Sequence, residues 1–119
     1  ARQVTPDGVT VAAPRVSTVV FGSEHYPETG ASGKFNFPFT CRVMWFRITA
    51  LTPSGTTTVE VRRADGATTV TTLSLGGSDT EDYDDTVDTS TTPAEGWDWN
   101  VTAAGGHTGL VITAGVSPV

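Results

Sequence analysis

Apolar and polar residues alternate one by one along several short stretches of the chain. Thr57, Val59 and Val61 fall at every second position, and Glu60 lies between the two valines. The stretch 97–103 repeats this arrangement, with an apolar side chain at each odd-numbered position. A period of two places successive side chains on opposite faces of a sheet, whereas a helix would need a period of about 3.6. These stretches therefore predict strands with one buried face.

Turn signals separate the alternating stretches at short intervals. The stretch 56–63 is followed by Ala64-Asp65-Gly66, where Gly66 is expected to adopt a positive φ, and 67–75 returns as the partner strand. Segments of this kind recur at a spacing of roughly 8–12 residues and give about eight short strands. We predict an all-β, antiparallel β-sandwich of jelly-roll type. An immunoglobulin-like sandwich is the alternative, because both folds show the same alternation.

The stretch 41–51 is the most apolar part of the chain and carries large apolar side chains at both parities. Val43 and Trp45 fall on one side of an extended backbone, and Phe46 and Ile48 fall on the other. A strand that is apolar on both sides is typical of a position covered on both faces. We therefore predict a central strand whose second face is covered by another part of the assembly, with a second subunit as a candidate.

Residues 1–15 are predicted to form an extended N-terminal arm that precedes a sandwich domain of residues 16–119. Pro6 and Pro14 bracket a short apolar segment, and neither proline can donate a hydrogen bond to a β ladder. Such an arm can add a strand to a neighbouring subunit through main-chain hydrogen bonds, and a flexible terminus is the alternative. The predicted partner-binding residues are Val4, Val9 and Val11.

The charge and the cysteine count limit the classes of partner. The formal net charge is -6, and the chain has only 7 Lys and Arg residues, dispersed along its length. Nucleic acids and anionic membrane surfaces attract clustered basic residues, so neither is a predicted partner. No apolar run approaches the ~20 residues of a membrane-spanning helix. The single cysteine, Cys41, excludes an internal disulfide and is predicted to be a small buried residue in a strand.

The stretch 76–85 is predicted to be a polar, acidic loop. Oxygen ligands clustered on a turn are what Ca²⁺ prefers, so the loop is a weak calcium candidate. The order of an EF-hand loop is absent, and a solvated loop that keeps the surface soluble is the favoured interpretation. We predict no resident cofactor. The calcium candidates are Asp79, Glu81, Asp82, Asp84 and Asp85.

The aromatic residues admit two interpretations. Trp97 and Trp99 could stack against a sugar if their rings were exposed. The favoured interpretation places them in the core, because they are in step with Val101 and Ala103 on one face of their strand. Trp45, Tyr26 and Tyr83 are the other aromatic residues considered for such a platform.

No constellation of catalytic residues is evident, so the chain is not predicted to be an enzyme. A nucleophile-elbow sequence is absent, and the carboxylates crowd one segment instead of facing each other across a cleft. His25 and His107 both fall in predicted loops and are expected to be exposed. Zinc would need three or four convergent ligands, which the sequence does not offer.

The segments 57–66 (TTVEVRRADG), 71–75 (TTLSL) and 93–101 (PAEGWDWNV), with the acidic stretch between them, resemble small phage virion jelly-roll domains. Such domains occur in head decoration proteins, head fibres and tail-fibre tips. One departure is Trp97, which stands where those domains have an aspartate. The resemblance covers residues 35–116 and implies a trimeric, eight-stranded jelly roll without enzymatic residues.

The function expected from this resemblance is that of a non-enzymatic virion structural protein. A capsid decoration (cement) protein on the outer capsid surface would form a homotrimer and bind the lattice of the major capsid protein. The alternative is a glycan-binding tip or carbohydrate-binding module of a tail fibre or secreted protein.

Overall fold

The structure, a computed structural model, describes residues 3–4, 10–11 and 17–118. These residues form strands and connecting loops, without a helix, so the prediction of an all-β, antiparallel chain is confirmed. Because none of the described residues form a helix, none of them form one that could span a membrane. The strands are β1 (Gln3–Val4), β2 (Thr10–Val11), β3 (Ser17–Glu24), β4 (Ser32–Phe35), β5 (Cys41–Thr49), β6 (Thr57–Arg63), β7 (Thr68–Leu75), β8 (Glu81–Asp84), β9 (Thr89–Thr91), β10 (Trp97–Ala103) and β11 (Leu110–Pro118).

Strands β3 to β11 form two antiparallel sheets that pack face to face. The first sheet has the order β3-β11-β5-β8, and β9 pairs with β5 at the other end of the same edge. The second sheet has the order β4-β10-β6-β7. With β8 and β9 sharing one position, the sandwich has eight strand positions, which agrees with the number predicted.

The strand order decides between the two predicted sandwich types. The first strand of the sandwich, β3, pairs with the last, β11, and β4 pairs with β10 in the opposite sheet. In an immunoglobulin fold the first two strands pair in one sheet, whereas here β3 and β4 lie in different sheets. The two ends of the sandwich chain therefore run side by side, as in a jelly roll.

The core lies between the two sheets and contains a cluster of aromatic rings. The ring of Phe21 meets that of Phe46 edge-on at 5.1 Å between centroids, and Phe37 meets Trp97 edge-on at 5.2 Å. Edge-to-face contacts of this kind add to the stabilisation from apolar burial. Cys41 is also fully buried in β5, as predicted, and burial raises the pKa of its thiol. A thiol that stays protonated is a poor nucleophile.

A β-bulge in β5 explains the apolar residues at both parities. Trp45 pairs with Gly115 and Val43 pairs with Val116, so Met44 is an extra residue on β5. The extra residue reverses the alternation, and the residues before and after it face the core at opposite parities. The core-facing residues of β5 are Cys41, Val43, Phe46 and Ile48.

The bulge corrects one part of the prediction for this strand. β5 is central, since β11 lies on one side and β8 and β9 lie on the other. Its outer face, however, carries the half-buried Trp45 and the exposed Arg47, with no cover from the described residues. The apolar pattern therefore reflects a change of parity within the strand, and a second subunit is not needed to explain it.

The hairpin of β6 and β7 is confirmed, and its turn has two residues with positive φ besides the predicted Gly66. Gly66 has a φ of 88°, while Ala64 and Asp65 also adopt the left-handed region with φ of 55° each. The Asp65 amide donates to the carbonyl of Gly96 at 2.9 Å, which holds the turn in place. Left-handed conformations in non-glycine residues are unfavourable, so the surrounding contacts stabilise this turn.

The N-terminal segment contains two short strands that pair with each other. β1 and β2 are antiparallel, with Val4 opposite Thr10 and Gln3 opposite Val11. Only residues 3–4 and 10–11 of this segment are described, so the extended arm of residues 1–15 stays a prediction. Val9 lies outside the described residues, and the role of Val4, Val9 and Val11 in partner binding stays a prediction.

Candidate functional site

A groove crosses the outer face of the first sheet, on the side away from the core. It has a volume of ≈ 340 Å³, which falls at the small end of the range for ligand sites. Its lining combines two aromatic rings with three charged side chains. The lining residues are Trp45 and Arg47 from β5, Glu81 and Tyr83 from β8, and Asp85, which follows β8.

The pairing of β5 with β8 places the polar members of the groove. Arg47 lies opposite Tyr83, and Thr49 lies opposite Glu81. Side chains that are directly opposite share a face of the sheet, and diagonal neighbours are within reach of long side chains. Arg47 reaches diagonally to Glu81 and forms an ion pair with it, although both side chains remain largely exposed.

The bulge in β5 places Trp45 in the groove. Without the extra residue, Trp45 would share a face with Val43 and point into the core. On the outer face its indole lies against the backbone of β11 at Gly115, where an added Cβ would overlap the indole nitrogen. The close approach to a glycine supports one side of the ring. Tyr83, at the other side of Arg47, is 60% exposed.

The formal charge within the groove is negative. Arg47 contributes one positive charge, and Glu81 and Asp85 contribute one negative charge each. Arg47 is paired with Glu81, and none of the ion pairs among the described residues involves the carboxylate of Asp85. The groove therefore offers two aromatic surfaces, hydrogen-bond donors on the guanidinium and acceptors on two carboxylates.

The calcium candidates are distributed over both faces of an edge strand. Residues 81–84 form β8, which corrects the prediction of a loop throughout 76–85. Asp82 accepts a hydrogen bond from the Ser74 amide at 2.9 Å, and Asp84 accepts one from the Thr71 hydroxyl at 2.7 Å. Ser74 and Thr71 belong to β7, so these carboxylates join the edges of the two sheets.

The remaining candidates also have structural partners or lie apart. Asp79 accepts a hydrogen bond from the Gly76 amide at 2.9 Å, and Glu81 pairs with Arg47. Among the residues that the structure describes, no group of three or more His, Cys, Asp or Glu side chains is arranged to hold a metal ion. The five acidic residues therefore do not converge on a calcium site in this structure.

Trp97 and Trp99 lie in the core, as the favoured interpretation placed them. They are 1% and 5% exposed, so neither ring can present a face to a sugar. The Trp97 indole N–H donates to the hydroxyl of Thr91 at 2.9 Å and to the carboxylate of Glu95 at 3.1 Å. The alternative interpretation, in which these two rings stack against a sugar, is therefore wrong. Of the other aromatic residues considered, Trp45 and Tyr83 line the same groove.

His107 is buried, which corrects the expectation of an exposed loop residue. The hydroxyl of Thr57 lies 2.8 Å from its Nδ1, and the carbonyl oxygens of Gly76 and Asp79 each lie 3.1 Å from its Nε2. Because carbonyls only accept, Nε2 carries the proton and Nδ1 accepts from Thr57. The ring thus joins three segments of the chain and is a structural residue. His25 is exposed, as expected.

Among the comparisons with known proteins, only the comparison of folds found similar proteins. Neither protein-family models nor curated proteins match the sequence. The fold is similar to chains in the structures of infectious bursal disease virus strain Gx (TM-score 0.39, 12% identity, 99% of this chain and 37% of that chain) and strain Gt (TM-score 0.37, 13% identity, 99% and 37%). A third is a structure of T=1 particles derived from infectious bursal virus (TM-score 0.37, 13% identity, 99% and 35%).

This chain therefore spans little more than a third of the viral chains that it matches. The jelly-roll assignment rests on the strand order of the two sheets and not on these similarities.

Proposed function

We propose that this chain is a non-enzymatic virion structural protein that decorates the outer surface of a capsid as a homotrimer. The observation that supports it is the strand order of the two sheets, which matches the eight-stranded jelly roll implied by the resemblance to phage virion domains. The jelly-roll fold serves many functions, so the decoration role is proposed by analogy with the phage virion domains. The matching segments 57–66 and 93–101 add sequence features to that analogy.

Strand β3 offers a surface for assembly. It lies at the edge of the first sheet and pairs only with β11 among the described residues. Val20, on its outer side, is 62% exposed. An edge strand with free backbone groups can pair with a strand of another chain, and covering it removes a site of aggregation.

The N-terminal segment is the second candidate surface. Val4, Val9 and Val11 would contact the major capsid protein or another virion protein. Many copies bound to one shell would hold on through multivalency even if each contact were weak. Their closed symmetric arrangement would present the same surface of each copy to the lattice.

Light scattering on the purified chain tests the assembly step. The expected mass is three times the 12.4 kDa of one chain. Val20→Lys should lower the mass if β3 lies in the interface, because a charge would be buried there. Thr72→Lys, on the exposed outer side of β7, is the matched control and should leave the mass unchanged. A monomer at micromolar concentration would contradict the trimer.

The capsid contact needs a separate measurement. Replacing Val4, Val9 and Val11 together by Ser should abolish co-sedimentation with capsid shells that bind the wild-type chain, while the sandwich melts at an unchanged temperature. Retained binding by this triple variant would remove the N-terminal segment from the proposal.

A further inference from the structure

We propose that the groove of Trp45, Arg47, Glu81, Tyr83 and Asp85 binds a neutral saccharide, with a sugar ring stacked on the aromatic side chains. The inference does not rest on the proposed assembly role, since a saccharide site would work equally on a monomer. It differs from the stacking platform considered as an alternative at Trp97 and Trp99, whose rings are buried.

The aromatic rings provide the stacking surface. Trp45 is held on the outer face by the bulge and is supported from below by the backbone at Gly115. Tyr83 is 60% exposed on the neighbouring strand. A supported ring loses little side-chain freedom on binding, which favours contact with the apolar C–H face of a pyranose.

The charged side chains supply the polar complement. A sugar hydroxyl both donates and accepts, and the groove offers guanidinium donors on Arg47 beside carboxylate acceptors on Glu81 and Asp85. Ligand sites commonly combine apolar and aromatic walls with a few polar groups that fix orientation. The mixed lining therefore matches the two-sided chemistry of a sugar ring.

The charge balance selects a neutral sugar. Two carboxylates and one guanidinium leave the groove with a formal charge of one negative unit, and Arg47 is already paired with Glu81. A sialylated or sulfated glycan would bring its negative charge next to Asp85, which is unfavourable at close range. A second copy of this chain or an apolar peptide would bury these charges, and burial of charge is costly.

Tryptophan fluorescence gives a specific readout of the groove. Trp97 and Trp99 are buried in the core, so quenching by acrylamide reports chiefly on the half-buried Trp45. A glycan array first identifies a saccharide for this measurement. It carries neutral oligosaccharides together with their sialylated and sulfated counterparts. The neutral oligosaccharide with the strongest signal is then titrated in solution, and it should protect Trp45 from acrylamide.

Three variants separate the groove from the rest of the surface. Trp45→Ala and Tyr83→Ala should each weaken saccharide binding by about two- to tenfold, as expected for losing one aromatic contact of about 0.5–1.5 kcal/mol. Tyr26→Ala is the matched control, because Tyr26 is 67% exposed and lies outside the groove. Its affinity should equal that of the wild type. Tyr83→Ala removes an exposed side chain and keeps the test valid if Trp45→Ala fails to fold.

The proposal is overturned by any of four results. These are the absence of neutral-glycan binding by the wild-type chain, preference for anionic glycans, binding that survives both groove variants, and equal loss in the Tyr26 control. If Trp45→Ala and Tyr83→Ala lower the oligomer mass and leave saccharide binding unchanged, the groove is an assembly surface and the saccharide proposal fails.

Discussion

The buried ring of His107 joins the start of β6 to the loop before β8, and its removal should destabilise the domain strongly. His107 is 1% exposed and uses both ring nitrogens in hydrogen bonds. We predict that His107→Ala lowers the free energy of unfolding while leaving the strand content unchanged, because the network ties loops and not the sheet ladders.

The size of the effect follows from the hydrogen bonds that are lost and from the space that the ring leaves. The hydroxyl of Thr57 loses its hydrogen bond to the ring but still accepts from the Gly105 amide at 3.1 Å. The carbonyl of Asp79 loses its donor, whereas the carbonyl of Gly76 still accepts from the Asp79 amide at 3.1 Å. The loss of these two hydrogen bonds costs about 1 kcal/mol each. The space left by the ring adds about 1–2 kcal/mol. The total of about 3–4 kcal/mol should lower the melting temperature by roughly 12–16 °C for a domain of this size.

Urea unfolding followed by circular dichroism measures the change, with thermal melts as a second readout. His25→Ala is the matched control, because His25 is exposed and its ring meets that of Tyr26, which is also exposed. It should change stability by less than about 0.5 kcal/mol. His107→Gln should recover part of the loss, since its amide can donate in place of Nε2–H. A His107→Ala variant as stable as the control would refute the network.

Three further changes probe other parts of the sandwich. Ala64→Gly should raise stability by about 1 kcal/mol in urea unfolding, because Ala64 has a φ of 55°, and a lower stability would contradict the strained turn. Gly33→Ala should lower stability by about 1–3 kcal/mol, because the added Cβ would overlap a buried indole; an unchanged melting temperature would argue against that packing. The pKa of Asp84 is lowered from 3.8 by hydrogen bonds from Thr86 and Thr71. Its ionised form therefore stabilises the fold fully above pH 3.8, and this contribution is lost as the pH falls through the lowered pKa. Asp84→Asn should be less stable than the wild type at pH 7, with a difference that narrows in melts below pH 3.8.

The candidate groove shows where prediction from the sequence stops. The sequence shows which aromatic residues are present, and the alternation correctly assigns Trp97 and Trp99 to the core. Trp45 was assigned by the same alternation to the side of Val43, and the bulge at Met44 reverses that assignment. A bulge depends on how two strands pair, so the local pattern of one strand does not reveal it.

The predictions for the acidic segment and for His107 were wrong for a related reason. Residues 76–85 are polar, and this pattern predicts a loop. Residues 81–84 nevertheless pair with β5 and form an edge strand. The carboxylates of Asp82 and Asp84 accept hydrogen bonds from β7, which is close in space only because the two sheets stack. His107 lies in a glycine-rich loop, and its burial depends on Thr57, which is 50 residues away in sequence.

The local features of this protein could be predicted from short stretches of its sequence. Period-two alternation is a property of each strand alone, so it was enough for the all-β class, the β6–β7 hairpin and the burial of Cys41. The choice between the jelly-roll and immunoglobulin-like strand orders, the bulge in β5 and the groove on the outer face became visible only in the folded chain. These depend on which distant strands pair and in which register, and hydrogen bonds between strands carry no signature in the sequence of either partner.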